Sequence, residues 1–167
     1  RFVENFERDF AAFCGSMDCI GVGSGTEALW LALLGLGVGQ GDEVITTPNT
    51  FIATAEAISF VGARPVFVDI DERTYNMNPE CLETAITEKT KLIVVNTPHN
   101  PIGRVLNRAE LSIIADVARD YDLIVVCDEV YEHLVFDDVR HVPLMTLPGM
   151  VERCLRIGSA GKTFSFT

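Results

Sequence analysis

Short runs of apolar, mostly β-branched residues recur along the chain, and between them lie longer segments whose apolar positions follow a helical period. The runs CIGVG (19–23), EVITT (43–47), RPVFVDI (64–70), KLIVV (91–95), LIVVCD (123–128) and CLRIG (154–158) read as strands buried on both faces of a parallel sheet. TEALWLALLGLG (26–37) is apolar all round, which predicts a buried helix. TFIATAEAISFVG (50–62) predicts a helix closed by Gly62, because glycine enters the left-handed conformation that ends a helix without steric cost. NPECLETAIT (78–87) and NRAELSIIADVARDYD (107–122) are amphipathic. The second opens on Asn107 with Glu110 three residues on, the spacing of a capping box. Strand–helix alternation of this kind predicts an α/β fold, a mostly parallel sheet with helices on both faces. No repeat or linker interrupts the pattern, so residues 1–167 are expected to form one domain.

Composition narrows the function classes. With 167 residues, 48% of them hydrophobic, the chain can bury a substantial core. A net charge of −11 sets it against nucleic acid and anionic membrane, whose phosphates would repel it. Five cysteines make an odd count without a CxxC pair, which is neither a disulfide framework nor a zinc site. Cys127, inside an apolar run, is expected as a small buried residue. A reducing, cytoplasmic compartment fits this usage. No apolar stretch reaches the roughly 18 residues a membrane span needs, and RFVENFERDF lacks a signal-peptide core.

Ligands of such sheets gather in the loops after the carboxyl ends of the strands. Here those loops read GSGT (23–26), TPNTF (47–51), NTPHNPIG (96–103), CDEVYEH (127–133) and GSAGKT (158–163). GVGSGTEAL falls short of a dinucleotide fingerprint because its final glycine is Thr26, and a dehydrogenase reading fails there. It leaves a helix opening whose backbone N–H groups, with the Ser24 and Thr26 hydroxyls, suit a phosphate or serve as a plain cap. Asp128 ends an apolar strand beside Glu129, where an acid could bind a metal, act as a base or hold a protonated ring nitrogen. Metal is the weaker option: no second carboxylate or histidine stands at ligand spacing, and His133 and His141 are expected at the surface. Lys162 follows the small residues Ser159, Ala160 and Gly161, which let another molecule approach its amine. A phenol (Tyr131), an acid (Asp128), an amide (Asn100) and this amine on one rim, with an anion nest opposite, describe a site for a ring with a phosphate arm.

NTPHNPIG, CDEVYEHLVFD and GSAGKTFS, in this order, resemble the fold type I pyridoxal-phosphate enzymes, and within them class I aminotransferases of the kynurenine aminotransferase and cysteine-conjugate β-lyase group. That likeness covers about residues 91–167. GSGTEALWLALLGLGVGQGDEVITTPNTFIATAEAI, on through ARPVFVDID, resembles the sugar aminotransferases of the DegT/DnrJ/EryC1 family. Both families share one fold and one cofactor, pyridoxal 5'-phosphate. The resemblance implies that Lys162 forms the Schiff base and shuttles the substrate proton. Its amine must then be deprotonated near neutral pH, which desolvation favours. Asp128 is implied to keep the pyridine nitrogen protonated, while Asn100 and Tyr131 hold the phenolic oxygen. Phe51 is implied to stack on the ring, and the Gly25 and Thr26 amides with the Ser159 hydroxyl to hold the phosphate.

Ile102 departs from the family's usual threonine, and Asn100–Pro101 is a candidate cis bond. The family's members are longer. Their next strand, a further basic phosphate ligand and a C-terminal small domain with a carboxylate-clamping arginine have no counterpart in these residues. The sequence therefore reads as a large-domain core. Its expected partners are an amino acid, a 2-oxo acid and a second copy in a homodimer. Transfer to a sugar nucleotide, β-elimination from a cysteine conjugate, or a non-catalytic cofactor-binding or interaction module remain as alternatives.

Overall fold

The structure, a computed structural model, describes residues 1–166. Five strands, β1 (Glu43–Thr46), β2 (Arg64–Phe67), β3 (Thr90–Asn96), β4 (Ile124–Asp128) and β5 (Cys154–Ile157), form one sheet in the order β2-β1-β3-β4-β5. Every pair is parallel, as the unbroken apolar runs predict. The chain moves outward from β1 to β2, then restarts on the other side of β1 with β3. In open α/β sheets ligands bind outside the carboxyl ends of the strands near such a reversal.

Two cores cover the two faces. On one, α5 (Arg108–Asp120) buries Leu111, Ile114 and Ala118 against Ile93, Val95, Val125 and Cys127. Its capping box is formed: the Asn107 side chain accepts from the Ala109 and Glu110 amides, and Glu110 reaches back to the Asn107 N–H at 2.8 Å. The short α4 (Leu82–Ala85), entered through one 3-10 turn, adds Leu82 to the same core. On the other face α2 (Gly25–Gly35) and α3 (Ala53–Phe60) pack Leu29, Leu33, Ala57 and Ile58 against Val44, Leu92, Val94 and Val126. Gly62 follows α3 at φ 81°, and the Gly62 and Ala63 amides return to the Ser59 and Ile58 carbonyls, a Schellman closure.

Two expectations fail. Residues 19–23 form no strand: Ile20 is 82% exposed, and the Gly21 N–H is held by the Glu7 carboxylate at 2.8 Å. A strand needs a neighbour to satisfy its ladder, and the described residues offer this run none. The helix at 26–37 is not buried all round either. Leu29, Ala32 and Leu33 face the core, while Trp30, Leu31 and Leu34 are exposed, because among the described residues nothing covers that side.

A helix the pattern did not announce, α1 (Phe2–Cys14), stacks Phe6 on Phe10 and Phe10 on Phe13. It reaches the carboxyl end of β5, where Phe13 meets Phe164 and the His133 ring. α1 packs beside Gly158, where the Phe10 ring lies 3.5 Å from the position a Cβ would take, an ordinary contact distance. Among the described residues no helix is long and apolar enough to cross a membrane.

Candidate active site

The carboxyl ends of β3, β4 and β5 finish level, with Asn96 opposite Asp128 and Asp128 opposite Ile157. Asn96 ties the loops that leave them. Its amide nitrogen donates to the Asp128 carbonyl at 3.0 Å, and its side-chain oxygen accepts the Asn100 N–H at 2.8 Å. The Thr97 N–H adds a second bond to the Asp128 carbonyl at 3.1 Å. Peptides Thr97–Pro98 and Asn100–Pro101 are cis, the second as expected. Between this loop and the turn after β4 lies a cleft of about 200 Å³, with Asn100 and Tyr131 on its facing walls and His99 and Leu134 beside them. The sheet therefore brings Asn100 and Tyr131 together across the 30 residues between them.

Asp128 is mostly buried, and its Oδ1 has no hydrogen-bond partner among the described residues. Loss of hydration pushes its pKa up to about 6; the Val130 N–H opposes the rise and the Glu129 charge adds to it. An acid at a strand end with an open oxygen suits a cationic ring nitrogen. His99 is also buried, neither ring nitrogen is paired, and burial holds its pKa below the ordinary histidine value.

The structure corrects the reading of the acids and histidines beyond Asp128. His141 is buried, with its Nε2 3.2 Å from Glu129 Oε2. Glu129, Glu132 and His141 converge within 4.8 Å of one another, although the first and last are 12 residues apart. The cation they hold is Arg156: its Nε lies 2.9 Å from Glu129 Oε2, and its Nη2 pairs with the Glu132 carboxylate. His133 alone of the pair stays partly exposed as expected.

The remaining predicted residues lie on the same rim but outside the cleft walls. Gly25 and Thr26 open α2, and their amides bond no acceptor among the described residues. Ser24 caps the helix through the Glu27 N–H at 3.1 Å, and the Glu27 carboxylate accepts the Gly23 N–H at 2.7 Å, so one anion already stands at this end. Ser159 caps α6 (Ala160–Phe164), its oxygen accepting the Lys162 N–H at 3.2 Å, which leaves its own proton for a ligand. Lys162 is exposed, so the desolvation expected of it is not supplied by the described residues. Phe51 stands 57% exposed on the loop after β1.

Sequence reasoning missed Asn96, His99 and Arg156. Asn96 closes an apolar strand and Arg156 lies inside one; a polar residue at or beside the carboxyl end of such a run is the usable signal. His99, between two prolines, carried none.

Comparison with known proteins places these features. The model of the DegT/DnrJ/EryC1/StrS aminotransferase family matches residues 1–131, running past the change of likeness read near residue 90. Kynurenine--oxoglutarate transaminase 3 of Rattus norvegicus is 44% identical over 153 residues, 86% of this chain and 34% of that protein. Probable N-succinyldiaminopimelate aminotransferase DapC of Mycobacterium tuberculosis is 42% identical over 144 residues, 85% of this chain and 36% of its own length. Among solved structures, the aromatic aminotransferase of Pyrococcus horikoshii OT3 superposes with a TM-score of 0.80 at 36% identity, over 85% of this chain and 38% of that one. The chain thus spans about a third of the length of the relatives it matches.

Proposed function

Because the chain belongs to the DegT/DnrJ/EryC1/StrS aminotransferase family, we propose that it is the cofactor-binding large domain of a pyridoxal-phosphate aminotransferase that moves an amino group between an amino acid and a 2-oxo acid. The relatives are named for amino-acid transamination, which favours that substrate class over a keto sugar or a cysteine conjugate.

The observation that carries the reading is the orphaned, mostly buried Oδ1 of Asp128 on the rim shared with Asn100 and Tyr131. A buried carboxylate oxygen without a partner is costly, and a protonated pyridine nitrogen would supply the missing donor. When bound, the cofactor supplies an electron sink for the bond-breaking step at the substrate α-carbon. Asp128 holds the ring and keeps its nitrogen protonated. Asn100, fixed through Asn96, and Tyr131, fixed by the turn after β4, offer an amide and a phenol to the ring's oxygen from opposite walls. Gly25 and Thr26 turn two unused amides toward an anion at the positive end of α2, and Ser159 adds a hydroxyl proton. Phe51 supplies an aromatic face. Lys162 would carry the amine offered to the cofactor aldehyde and would hold or move a proton at the substrate α-carbon. Its exposure leaves that amine accessible, and a second copy of the chain in a cytoplasmic homodimer completes its surroundings.

The test is chemical. The protein is treated with pyridoxal phosphate, reduced with borohydride, and the modified lysine is mapped by peptide mass spectrometry. The expected result is one label on Lys162, lost in Lys162→Ala and weakened in Asp128→Asn. Scattered labelling, equal in wild type and Lys162→Ala, overturns the proposal.

A further inference from the structure

Strand alternation separates the two acids that follow β4. Val126 and Ile157 belong to the core under α2 and α3, whereas Val125 and Cys127 belong to the core under α5. Asp128 therefore falls on the α2 side, and Arg156, the register partner of Cys127, falls on the α5 side. Glu129 turns to the same side as Arg156, and its Oε1 accepts the Leu144 N–H at 3.3 Å. There Glu129 is 1% exposed, Glu132 5% and Arg156 15%. Two carboxylates, one guanidinium and the imidazole of His141 fill the space directly behind the strand end that presents Asp128. The Cys14 thiol faces the guanidinium from α1. Among the described residues the same rim also carries Lys162, in α6, and, in the loop after β3, Arg104, which pairs with Glu110 at 2.7 Å.

We propose, on the reading given above, that Arg156 is a positioning residue of the candidate active site: it neutralises Glu129 and Glu132 behind β4 and so keeps Asp128 ionised for a cationic ring. Asp128 and Glu129 are joined by one peptide, and at that separation charges act on one another strongly through a low-dielectric interior. Burial raises the Asp128 pKa most, and Glu129's charge adds to the rise. The guanidinium in contact with Glu129 offsets that field at its source. Without it the rim would hold adjacent buried carboxylates of like charge, and the one facing the ligand would take up a proton.

The experiment titrates the Asp128 carboxyl by carbon-13 NMR in protein labelled at aspartate, without cofactor, the signal being assigned with Asp128→Asn. In Arg156→Met the midpoint is expected to move from about 6 toward about 7. In Glu129→Gln, which keeps Arg156 but removes the opposing charge, it is expected to move down, and Arg156→Lys should restore much of the wild-type value. A midpoint that stays in place in Glu129→Gln overturns the proposal, even if Arg156→Met fails to fold. A general loss of packing would not move the two variants in opposite directions.

Pyridoxal-phosphate binding by equilibrium dialysis gives the second readout. Fractional ionisation predicts about threefold weaker binding for Arg156→Met at pH 6.5 and almost none at pH 8.5. If the carboxyl shifts as expected but the cofactor binds neither protein, the aminotransferase reading falls while the charge relation between Arg156 and Asp128 stands. If the cofactor binds wild type and the carboxyl does not shift, the positioning role falls alone.

Discussion

At the amino ends of the strands, buried polar side chains are paired. Glu43 gives one carboxylate oxygen to Arg64 at 2.5 Å and the other to the Thr87 hydroxyl at 2.7 Å, and Asp42 accepts the Gly39 N–H at 3.0 Å. Arg153 fills the space below β5 with bonds to the Ala118 and Leu123 carbonyls. At the carboxyl ends the pattern reverses. Thr47, Thr50, Asn76, His99, Asp128 and Thr163 each keep a buried polar atom without a hydrogen bond among the described residues, and each follows a strand's carboxyl end. An unpaired buried polar group costs free energy that is recovered when a ligand or an ordered water supplies the partner.

The largest expected effect tests the open rim at its centre. The Asp128 pKa is raised to about 6 in the folded state, so the folded state binds the extra proton. The stability this acid contributes is present below its unfolded pKa of about 4 and is lost as pH rises through 6. Asp128→Asn should therefore stabilise the cofactor-free protein by about 1–3 kcal/mol at pH 7.5, checked by urea unfolding, while weakening cofactor labelling. Destabilisation instead would mean that Asp128 is a structural anchor.

A satisfied group on the same rim should behave in the opposite way. Asn107 caps α5 with two bonds, and Asn107→Ala should cost about 1 kcal/mol, read by the same urea titration. The pair of variants separates satisfied from unsatisfied polar groups at one end of the sheet.

His99 sharpens the contrast through pH. Its pKa is lowered by burial, so the stability of its neutral form is full above the ordinary histidine value and is lost as pH falls through the folded one. Wild type should weaken on acidification below about 6.5, and His99→Phe should weaken less over that interval. Asp128 acts with the opposite sign between about 4 and 6, so the comparison is best made in the Asp128→Asn background.

The smallest effect belongs to the closed rim. The hydrogen bond from Arg64, then that from Thr87, holds Glu43 below the usual glutamate pKa, so its contribution is present above that value and lost as pH falls through the folded pKa. Arg64 is largely exposed, and salt screens such a pair. Glu43→Gln should lower the thermal midpoint modestly, by a margin that shrinks as salt is raised.

How much of this was legible beforehand follows from how local each signal is. The runs at 43–47, 91–95 and 123–128 were readable because burial on both faces demands continuous apolar residues; those at 64–70 and 154–158 read the same way but form the two edges of the sheet, and β2 leaves Phe67 exposed. The α5 cap was readable because it lies within four residues. The run at 19–23 carried the same local signal and failed, because a strand exists only where a neighbour pairs with it. α2 failed in part for a related reason: an apolar surface records a preference for burial and not what covers it. Asn100, Asp128, Tyr131 and Lys162 were legible as residue types at loop positions, but the cleft joins only Asn100 and Tyr131. Asn96, which links Asn100 to Asp128, was masked by the apolar strand it ends.

By itself, then, the sequence determined the alternation of strands and helices, the parallel sheet, the rim on which function gathers and the family to which the chain belongs. The first three depend on periodicity, caps and residue type, which act over a few neighbouring residues; the family rests on the resemblance of whole motifs to known aminotransferases. Only the tertiary structure decided that Asp128 and Glu129 turn to opposite faces, that His141 is buried and that Arg156 stands among the acids behind β4. Those outcomes depend on strand register and on packing between residues far apart in the chain, where a side chain's charge and hydration are set by neighbours its own segment does not contain.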